Sequence, residues 1–200
     1  SRTYVKKILE KISGEIFKNY KINNISRSND NVRISIGNEY LDYDQVVLAC
    51  HADQSLNILN DPSSKEKEIL NKFTYVSNRA FLHTDENLMP SRKKAWSSWN
   101  AITKDNRTFI TDWLNKLQNL KTNKNYFLTL NPVAEVEENK IIKQEKFTHP
   151  YFNNENVSLQ KDLHLLQGKK RTWFCGSYFG YGFHEDGLKS SIDLVKKFNT

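Results

Sequence analysis

The residues best suited to chemistry lie near the carboxyl end of the chain, where glycines interrupt an aromatic-rich stretch. Gly176, Gly180 and Gly182 follow a short apolar run at 172–175, and a helical pattern begins near Glu185. A strand, a glycine turn and a helix start can bring backbone N–H groups and the positive end of a helix dipole against a negatively charged ligand. The pattern is consistent with an anion-binding turn, although an ordinary corner between a strand and a helix would look the same.

The same turn carries aromatic side chains between its glycines. Large apolar groups are unfavourable in water, so we expect the turn to cover something rather than to stand free in solvent. The aromatic residues are Tyr178, Phe179, Tyr181 and Phe183.

Familiar catalytic and metal-binding motifs are absent from the sequence. The histidines lack the paired spacing of a zinc site, so no metal is predicted. Cys50 and His51 are neighbours at the end of a strand pattern, so their side chains point in opposite directions and cannot act together as nucleophile and base. The chain has no GxSxG motif, no Walker loop and no GxGxxG fingerprint. Motifs alone therefore leave an enzyme unproven.

The composition describes a globular chain of 200 residues with 38% hydrophobic residues and a net charge of +7. The basic residues form only short clusters without the aromatic motif of an RNA-binding sheet, so we expect no nucleic-acid partner. No apolar run approaches the roughly 20 residues of a membrane span. The two cysteines are far apart in sequence, which favours a reducing compartment, and a cytoplasmic location is expected.

Hydrophobic periodicity predicts the elements of the first quarter of the chain. Alternating residues on both sides of Gly37-Asn38 predict a β-hairpin, and the nearly continuous apolar run over 44–50 is typical of a strand covered on both faces. The predicted elements are a helix over 2–12, strands over 15–20 and 21–26, hairpin strands over 31–36 and 39–43, and a strand over 44–50.

The middle of the chain reads as a large antiparallel or mixed sheet with helices on one face. A capping-box pattern at Ser63 and Glu66 opens one of the helices, and Gly168 closes the last one. The predicted helices cover 53–59, 63–73 and 155–166, and the predicted strands cover 76–85, 95–103, 108–114, 126–130 and 141–148.

Several blocks of the sequence together resemble a known family. They read DQVVLACHADQSL, SNRAFLHTD, AWSSWN, NKLQNL, YFLTLNP, FTHPYF and RTWFCGSYFGYGFHEDGL. They are similar to the carboxyl-terminal half of a bacterial family of predicted NAD/FAD-binding oxidoreductases, a branch of the flavin-containing amine oxidase superfamily. The resemblance is collinear from Arg2 to about Lys197, and its most specific parts are VVLACHAD, NRAFLHTD and FCGSYFGYGFHEDG.

The resemblance implies an α+β fold. It combines a substrate domain, a mixed or antiparallel sheet backed by helices, with the carboxyl-terminal parts of a Rossmann-like FAD-binding domain. Members of the superfamily open with a βαβ unit carrying GxGxxG, which this chain lacks, so the resemblance implies a fragment whose missing segment lies upstream of Ser1. The implied domain parts are 1–51 and 167–200 for FAD and 52–166 for the substrate.

The resemblance also implies a cofactor, FAD, and the residues that hold it through their backbone. Gly176 and Ser177 would approach the pyrophosphate and ribityl chain, and Gly182 would let the turn pass the isoalloxazine. The start of the last helix would face the flavin N1–C2=O edge, and Ile22 resembles the position that meets the adenine. The full implied set is Ile22, Gly176, Ser177, Gly182, Phe183, His184 and Glu185.

Catalytic side chains are less defined. Many amine oxidases place a lysine on the first strand of the substrate domain, where this chain reads Ser77-Asn78-Arg79, so the resemblance does not imply typical amine oxidation. Arg79 could supply charge instead, and His83 and Trp99 could line the substrate space. Each of the three could equally be a partly buried residue of the sheet.

The first hypothesis is therefore the carboxyl-terminal portion of an FAD-dependent oxidoreductase that transfers a hydride from an organic, lipid-like substrate to flavin N5. Its expected partners are a small-molecule substrate and the missing FAD-binding segment, and a homo-oligomer is left open. The isolated chain is expected to bind FAD poorly and to be inactive. The alternative is a non-catalytic truncated relative that binds a partner or an apolar ligand through its sheet.

Overall fold

The structure, a computed structural model, describes residues 2–104 and 106–198. Internal contacts divide the chain into two compact units. We call residues 1–73 with 153–200 the two-segment unit, and residues 74–152 the sheet unit. No helix in the described ranges is long and apolar enough to cross a membrane.

Helices and strands alternate irregularly along the chain, as expected for an α+β fold. The helices are α1 (Arg2–Leu9), α2 (Ala52–Ile58), α3 (Ser64–Leu70), α4 (Leu114–Leu117), α5 (Asn154–Leu159) and α6 (His184–Phe198). The strands are β1 (Ile22–Arg27), β2 (Val32–Ile36), β3 (Glu39–Tyr43), β4 (Val46–Leu48), β5 (Thr74–His83), β6 (Trp99–Lys104), β7 (Arg107–Trp113), β8 (Phe127–Leu130), β9 (Ile141–Tyr151) and β10 (Thr172–Phe174).

The first sheet of the two-segment unit is an antiparallel meander of β1, β2 and β3. Gly37 has a φ of 59° in the turn between β2 and β3, which confirms the predicted hairpin. The opening helix is also confirmed, although it ends at Leu9. The strand predicted over 15–20 is wrong: Ile16 and Phe17 are exposed, and a strand without a neighbour cannot satisfy its backbone.

The second sheet of this unit pairs β4 and β10 in parallel, with Val47 opposite Trp173. Val46 and Leu48 are buried, but Val47 between them is 45% exposed. The expectation that this strand is covered on both faces is therefore wrong for the face that carries Val47. A turn and α6 follow β10, which confirms the predicted order of strand, glycine turn and helix.

A buried ion pair holds the parts of the two-segment unit together. Arg27 on β1 donates to the Glu66 carboxylate of α3 at 2.6 Å, and also to the Thr172 hydroxyl of β10 at 3.2 Å. Ser63 Oγ accepts from the Glu66 amide while Glu66 Oε2 accepts from the Ser63 amide, which confirms the predicted capping box. Glu66 therefore caps its helix and neutralises Arg27 at once.

The helix predicted over 155–166 changes character partway. It is α-helical as α5 and continues as a 3-10 helix from Gln160 to Leu166. The Leu163 and Leu166 side chains are buried, as the apolar spacing predicts. Gly168 follows with a φ of 71°.

The sheet unit is built on five antiparallel strands in the order β6, β7, β8, β5, β9. The five predicted strands are present with shifted ends: β5 ends at His83 rather than at 85, β6 begins at Trp99 rather than at 95, and β9 runs three residues further than predicted, to Tyr151. Pro150 is tolerated because β9 lies at the edge of the sheet and bonds only to β5. The sheet is wholly antiparallel within the described residues.

One face of this sheet is a core and the other is half open. Alternation along β5 places Arg79, Phe81 and His83 on one face and Ala80 and Leu82 on the other, as predicted. The core face carries the buried side chains Phe81, His83, Phe109, Thr111, Phe127 and Thr129. The half-open face carries Leu82, Trp99, Ile110, Asp112, Leu128 and Leu130.

The contact-based units and the predicted domains use different boundaries. The sheet unit begins at Thr74 and ends at Phe152, whereas the predicted substrate domain covers 52–166. The predicted domains are defined by ligand rather than by contacts, so their boundaries stay predictions.

Candidate functional site

The candidate site is the turn that connects β10 to α6. A single 3-10 turn runs from Ser177 to Phe179, and the Ser177 carbonyl accepts from the amides of both Gly180 and Gly182 at 3.1 Å. One carbonyl therefore accepts hydrogen bonds from two amides of the turn, and glycines at these two positions allow the backbone to fold tightly around it.

Gly176 stands at the hinge between strand and turn, where a side chain would be strained. Its φ is 152°, and an added Cβ would lie 2.9 Å from the Tyr178 ring. Its N–H donates to Ser190 Oγ on α6 at 3.0 Å. Gly176 thus shapes the turn and ties it to the helix, while its own N–H is already used within the protein.

Asp186 completes the turn, and its role was missed in the sequence. Its Oδ2 accepts from the amides of Tyr181 at 3.0 Å and Phe183 at 2.9 Å. A side chain at Gly180 would overlap the Asp186 carboxylate. An acidic residue at the third position of a helix is a capping signal, so the pattern was available in the sequence.

Three backbone N–H groups of the turn lack an acceptor among the described residues: those of Ser177, His184 and Glu185. The next two amides of α6 donate to the Phe183 carbonyl. Gly187 has no side chain to cover the Ser177 nitrogen, which would lie 3.7 Å from an added Cβ. These donors, with the positive end of a 15-residue helix, suit a negatively charged group.

The aromatic side chains of the turn divide into two kinds. Tyr178 is buried and packs on Phe73 with ring centroids 5.4 Å apart. Tyr181 and Phe183 are 65% and 70% exposed. The expectation that these two rings cover something stays a prediction.

Ile22 is the remaining residue predicted to hold the cofactor. It begins β1, opposite Ile36, and is partly exposed. It belongs to the same two-segment unit as the β10–α6 turn, but its strand is in the sheet of β1, β2 and β3 and not in the sheet of β4 and β10. Its proposed backbone role stays a prediction.

His83 is fully buried in the sheet unit. Its Nδ1 accepts from the Asp85 amide at 3.0 Å, so its Nε2 carries the proton and donates to Thr129 Oγ1 at 2.7 Å. The Thr129 hydroxyl in turn lies 2.8 Å from Thr111 Oγ1. Burial lowers the pKa of His83 to about 4, so the ring is neutral. This geometry favours a structural role over the lining of a substrate space.

The other two candidates of the sheet unit are accessible but lie on opposite faces. Trp99 is 60% exposed on the half-open face. Arg79 is exposed on the core face, with its guanidinium 5.6 Å from the centroid of the Phe81 ring. The structure therefore does not bring Arg79, His83 and Trp99 together.

Asp112 is a polar residue of the half-open face that sequence reasoning missed. It is the register partner of Trp99, and its Oδ1 is buried without a hydrogen-bond partner in the described residues. Burial raises the pKa of its carboxyl group. A charged residue at a strand position that alternation assigns to an apolar face was the available signal.

No group of three His, Cys, Asp or Glu side chains within 2–104 and 106–198 is placed to hold a metal ion. The turn between β10 and α6 is the place where backbone N–H groups without an acceptor among the described residues meet the start of a long helix.

Comparison with known proteins identifies the fold. The chain resembles a fatty acid isomerase from P. acnes that produces CLA, with a TM-score of 0.72 and 14% identity over 100% of this chain and 52% of that one. The protein named protoporphyrinogen oxidase from Exiguobacterium sp. 255-15 has a TM-score of 0.65 at 11% identity, over 98% and 50%. Putrescine oxidase bound to putrescine has a TM-score of 0.65 at 7% identity, over 100% and 53%.

The likeness to these structures confirms the fold that the resemblance implies. The chain spans about half the length of the structures it matches. No family model and no curated protein sequence matches the chain.

Proposed function

We propose that this chain is the carboxyl-terminal portion of an FAD-dependent oxidoreductase. The observation that carries the proposal is the β10–α6 turn, whose unpartnered amides lie at a helix start within a fold that flavin oxidases share over the whole chain. The proposal extends that likeness from fold to activity.

The residues of the turn suit the pyrophosphate and the flavin ring in different ways. The N–H of Ser177, beside Gly187, would donate to the pyrophosphate or ribityl oxygens, and those of His184 and Glu185 would face the flavin ring. Gly176 would act by shaping the turn, since its N–H is bound to Ser190. Two further backbone contacts stay proposals. Ile22 would meet the adenine, and Gly182 and Phe183 would both lie along the flavin.

Bound FAD would accept a hydride at N5. The contribution of this chain is to hold and orient it. The positive end of α6 stabilises negative charge placed against it by roughly 0.3–2 kcal/mol, which favours the reduced state of an electron acceptor held there. The half-open face of the sheet unit, with Trp99 among its apolar side chains, suits an organic, lipid-like substrate.

The partner that the proposal requires is a segment carrying the GxGxxG fingerprint. The chain covers only about half of the flavin oxidases it resembles, so the part of the site that holds the adenosine ribose would come from that segment. Without it, the 200 residues are expected to bind FAD poorly and to be inactive. The expected cytoplasmic location also stays a prediction.

The test begins with the coding sequence upstream of Ser1, where a predicted strand followed by GxGxxG is expected. The protein made with that segment should purify with the yellow absorption of oxidised flavin. A Gly187→Leu variant should lose flavin because its side chain would cover the Ser177 N–H, whereas Gly14→Leu should keep it because Gly14 has no neighbour within 4 Å. A colourless protein that takes up no added FAD would sink the proposal.

A non-catalytic binding module is the second candidate. It is favoured because several backbone N–H groups of the turn already donate within the protein. The Gly176 N–H donates to Ser190, and those of Tyr181 and Phe183 donate to Asp186. On this hypothesis the exposed rings of the turn would contact a protein partner or an apolar ligand. Absence of an upstream fingerprint, together with a colourless protein, would support it.

A further inference from the structure

Two arginines of the sheet unit line the same concave surface. Arg79 and Arg107 both line a cavity of about 480 Å³ and a neighbouring one of about 420 Å³. Neither guanidinium forms an ion pair or a hydrogen bond with any described residue. A pair of guanidinium groups in a concavity attracts an anion, and their planar donors match a carboxylate.

The fold fixes both arginines on one face. Leu130 on β8 is paired with Ala80 on β5 and with Ile110 on β7. Ala80, Ile110 and Leu130 therefore share one face, and side chains alternate between the faces along each strand. Arg79 is one residue from Ala80 and Arg107 is three residues from Ile110, so both arginines lie on the other face. The topology, rather than chance contact between loops, therefore brings the two charges to one end of the core face.

The position of Arg79 is held before any ligand binds. Its N–H donates to Asn131 Oδ1 and its carbonyl accepts from the Asn131 N–H, both at 2.9 Å. Asn131 is itself bound to Asn78 at 2.7 Å. The guanidinium lies over the Phe81 ring, which restricts its motion without neutralising its charge. Less conformational freedom is lost on binding when the binding group is already placed.

Part of the wall beside the two charges is apolar, and the rest is polar. The larger cavity is lined by Phe81, Val136 and Ile141, which pack together at the edge of a core cluster. Glu135 and Glu138 also line it, and their negative charge disfavours ligands with more than one negative charge. A single carboxylate attached to an apolar chain satisfies the two arginines, the apolar wall and the two glutamates together.

We propose that the cavity lined by Arg79 and Arg107 binds the carboxylate of an apolar organic acid. The site lies wholly within residues 74–152, and it goes beyond the proposed flavin chemistry because it requires neither FAD nor the upstream segment. The carboxylate lies between the guanidinium groups, and the apolar chain lies along Phe81, Val136 and Ile141.

Isothermal titration of the 200-residue chain with sodium octanoate tests the site. Saturable binding of one octanoate is expected, weakened about fivefold by Arg79→Ala and by Arg107→Ala, since a partly exposed charge pair contributes on the order of 1 kcal/mol. Arg92→Ala is the matched control, because Arg92 is an exposed arginine of the same unit outside both cavities. It should bind octanoate as the parent does.

Ligand and folding controls keep the result unambiguous. Octan-1-ol should bind more weakly than octanoate because it has no charge, and octyl phosphate should bind more weakly because it carries more charge. Circular dichroism checks that each variant is folded, and Arg79→Lys, with binding measured at two salt concentrations, replaces Arg79→Ala if the latter unfolds. Absence of saturable octanoate binding, indifference to both alanine substitutions, or tighter binding of the alcohol or phosphate would overturn the proposal.

Discussion

The hydroxyl oxygen of Ser190 lies 3.0 Å from the amide nitrogen of Gly176, and this hydrogen bond joins helix α6 to the end of strand β10. The same hydroxyl lies 2.8 Å from the Gly187 carbonyl, to which it donates. Ser190 therefore sets the distance between the strand and the first turn of the helix. The candidate site depends on that distance, because its free amides come from both sides of the joint.

Replacing Ser190 by alanine should destabilise the two-segment unit. The change leaves the Gly176 N–H without its acceptor, and an unsatisfied buried donor costs about 1–3 kcal/mol in free energy of unfolding. Ser191→Ala is the matched control, because the Ser191 hydroxyl only donates to the Gly187 carbonyl, at 2.9 Å. Urea titration followed by circular dichroism measures both. Equal losses in the two variants would contradict the role of the Gly176 contact.

A side chain at Gly176 should be poorly tolerated. Gly176→Ala places a Cβ 2.9 Å from the Tyr178 ring at a φ of 152°, and we expect a loss of about 1–3 kcal/mol in free energy of unfolding. Gly14→Ala is the control, since no atom lies within 4 Å of the added Cβ there. Thermal unfolding compares the two, and a Gly176→Ala protein as stable as the Gly14→Ala protein would refute the strain.

Arg27 and Glu66 should be interdependent. Their side chains are 0% and 2% exposed, and Glu66→Ala leaves the buried guanidinium with Asp61, at 3.1 Å, as its remaining carboxylate partner, so the loss of the two bonds to Glu66 should cost about 3 kcal/mol in free energy of unfolding. The double variant Arg27→Met with Glu66→Leu should recover much of that loss because no buried charge remains. Asp42→Ala, which breaks an exposed pair with Arg33, should change stability little. A double variant less stable than Glu66→Ala would count against this account.

Local patterns in the sequence predicted the elements well where one short-range signal decided the structure. Gly37 set the hairpin, and Ser63 with Glu66 set a helix start, because each needs only a few adjacent residues. The resemblance to flavin oxidases predicted the fold that the structural comparisons confirm, and periodicity alone did not reach that far.

Features that depend on distant partners were out of reach. The segment over 15–20 has residue types that suit a strand, but no neighbouring strand pairs with it in the described residues. The sequence of one segment does not reveal whether such a partner strand exists. The sequence around His83 does not reveal that Thr129, 46 residues away, would hold its ring in the core. The engagement of the Gly176 N–H by Ser190 likewise depends on how α6 packs.

Asp112 should destabilise the sheet unit at neutral pH. Burial raises the pKa of its carboxyl group above the ordinary 3.8, so the folded protein holds the proton more tightly, and stability falls as pH rises through the folded pKa. Asp112→Asn should therefore raise the free energy of unfolding at pH 7 by about 1 kcal/mol, the order expected for a buried unpaired acceptor that is partly screened by solvent. The gain should vanish below about pH 3.8, whereas Asp30→Asn, at an exposed position, should show none.

His83 should make the protein sensitive to mild acid. Its pKa is lowered from 6.5 to about 4 by burial, so the unfolded chain takes up a proton at a higher pH than the folded one. Its contribution to stability is complete above pH 6.5 and is lost as pH falls towards 4, by about 3 kcal/mol over that window. His83→Gln should be less stable at pH 7 but should show a smaller loss between pH 6.5 and 4. His184→Gln, at an exposed position, should keep the parent pH dependence, and urea titrations at several pH values would reject the prediction if His83→Gln did so as well.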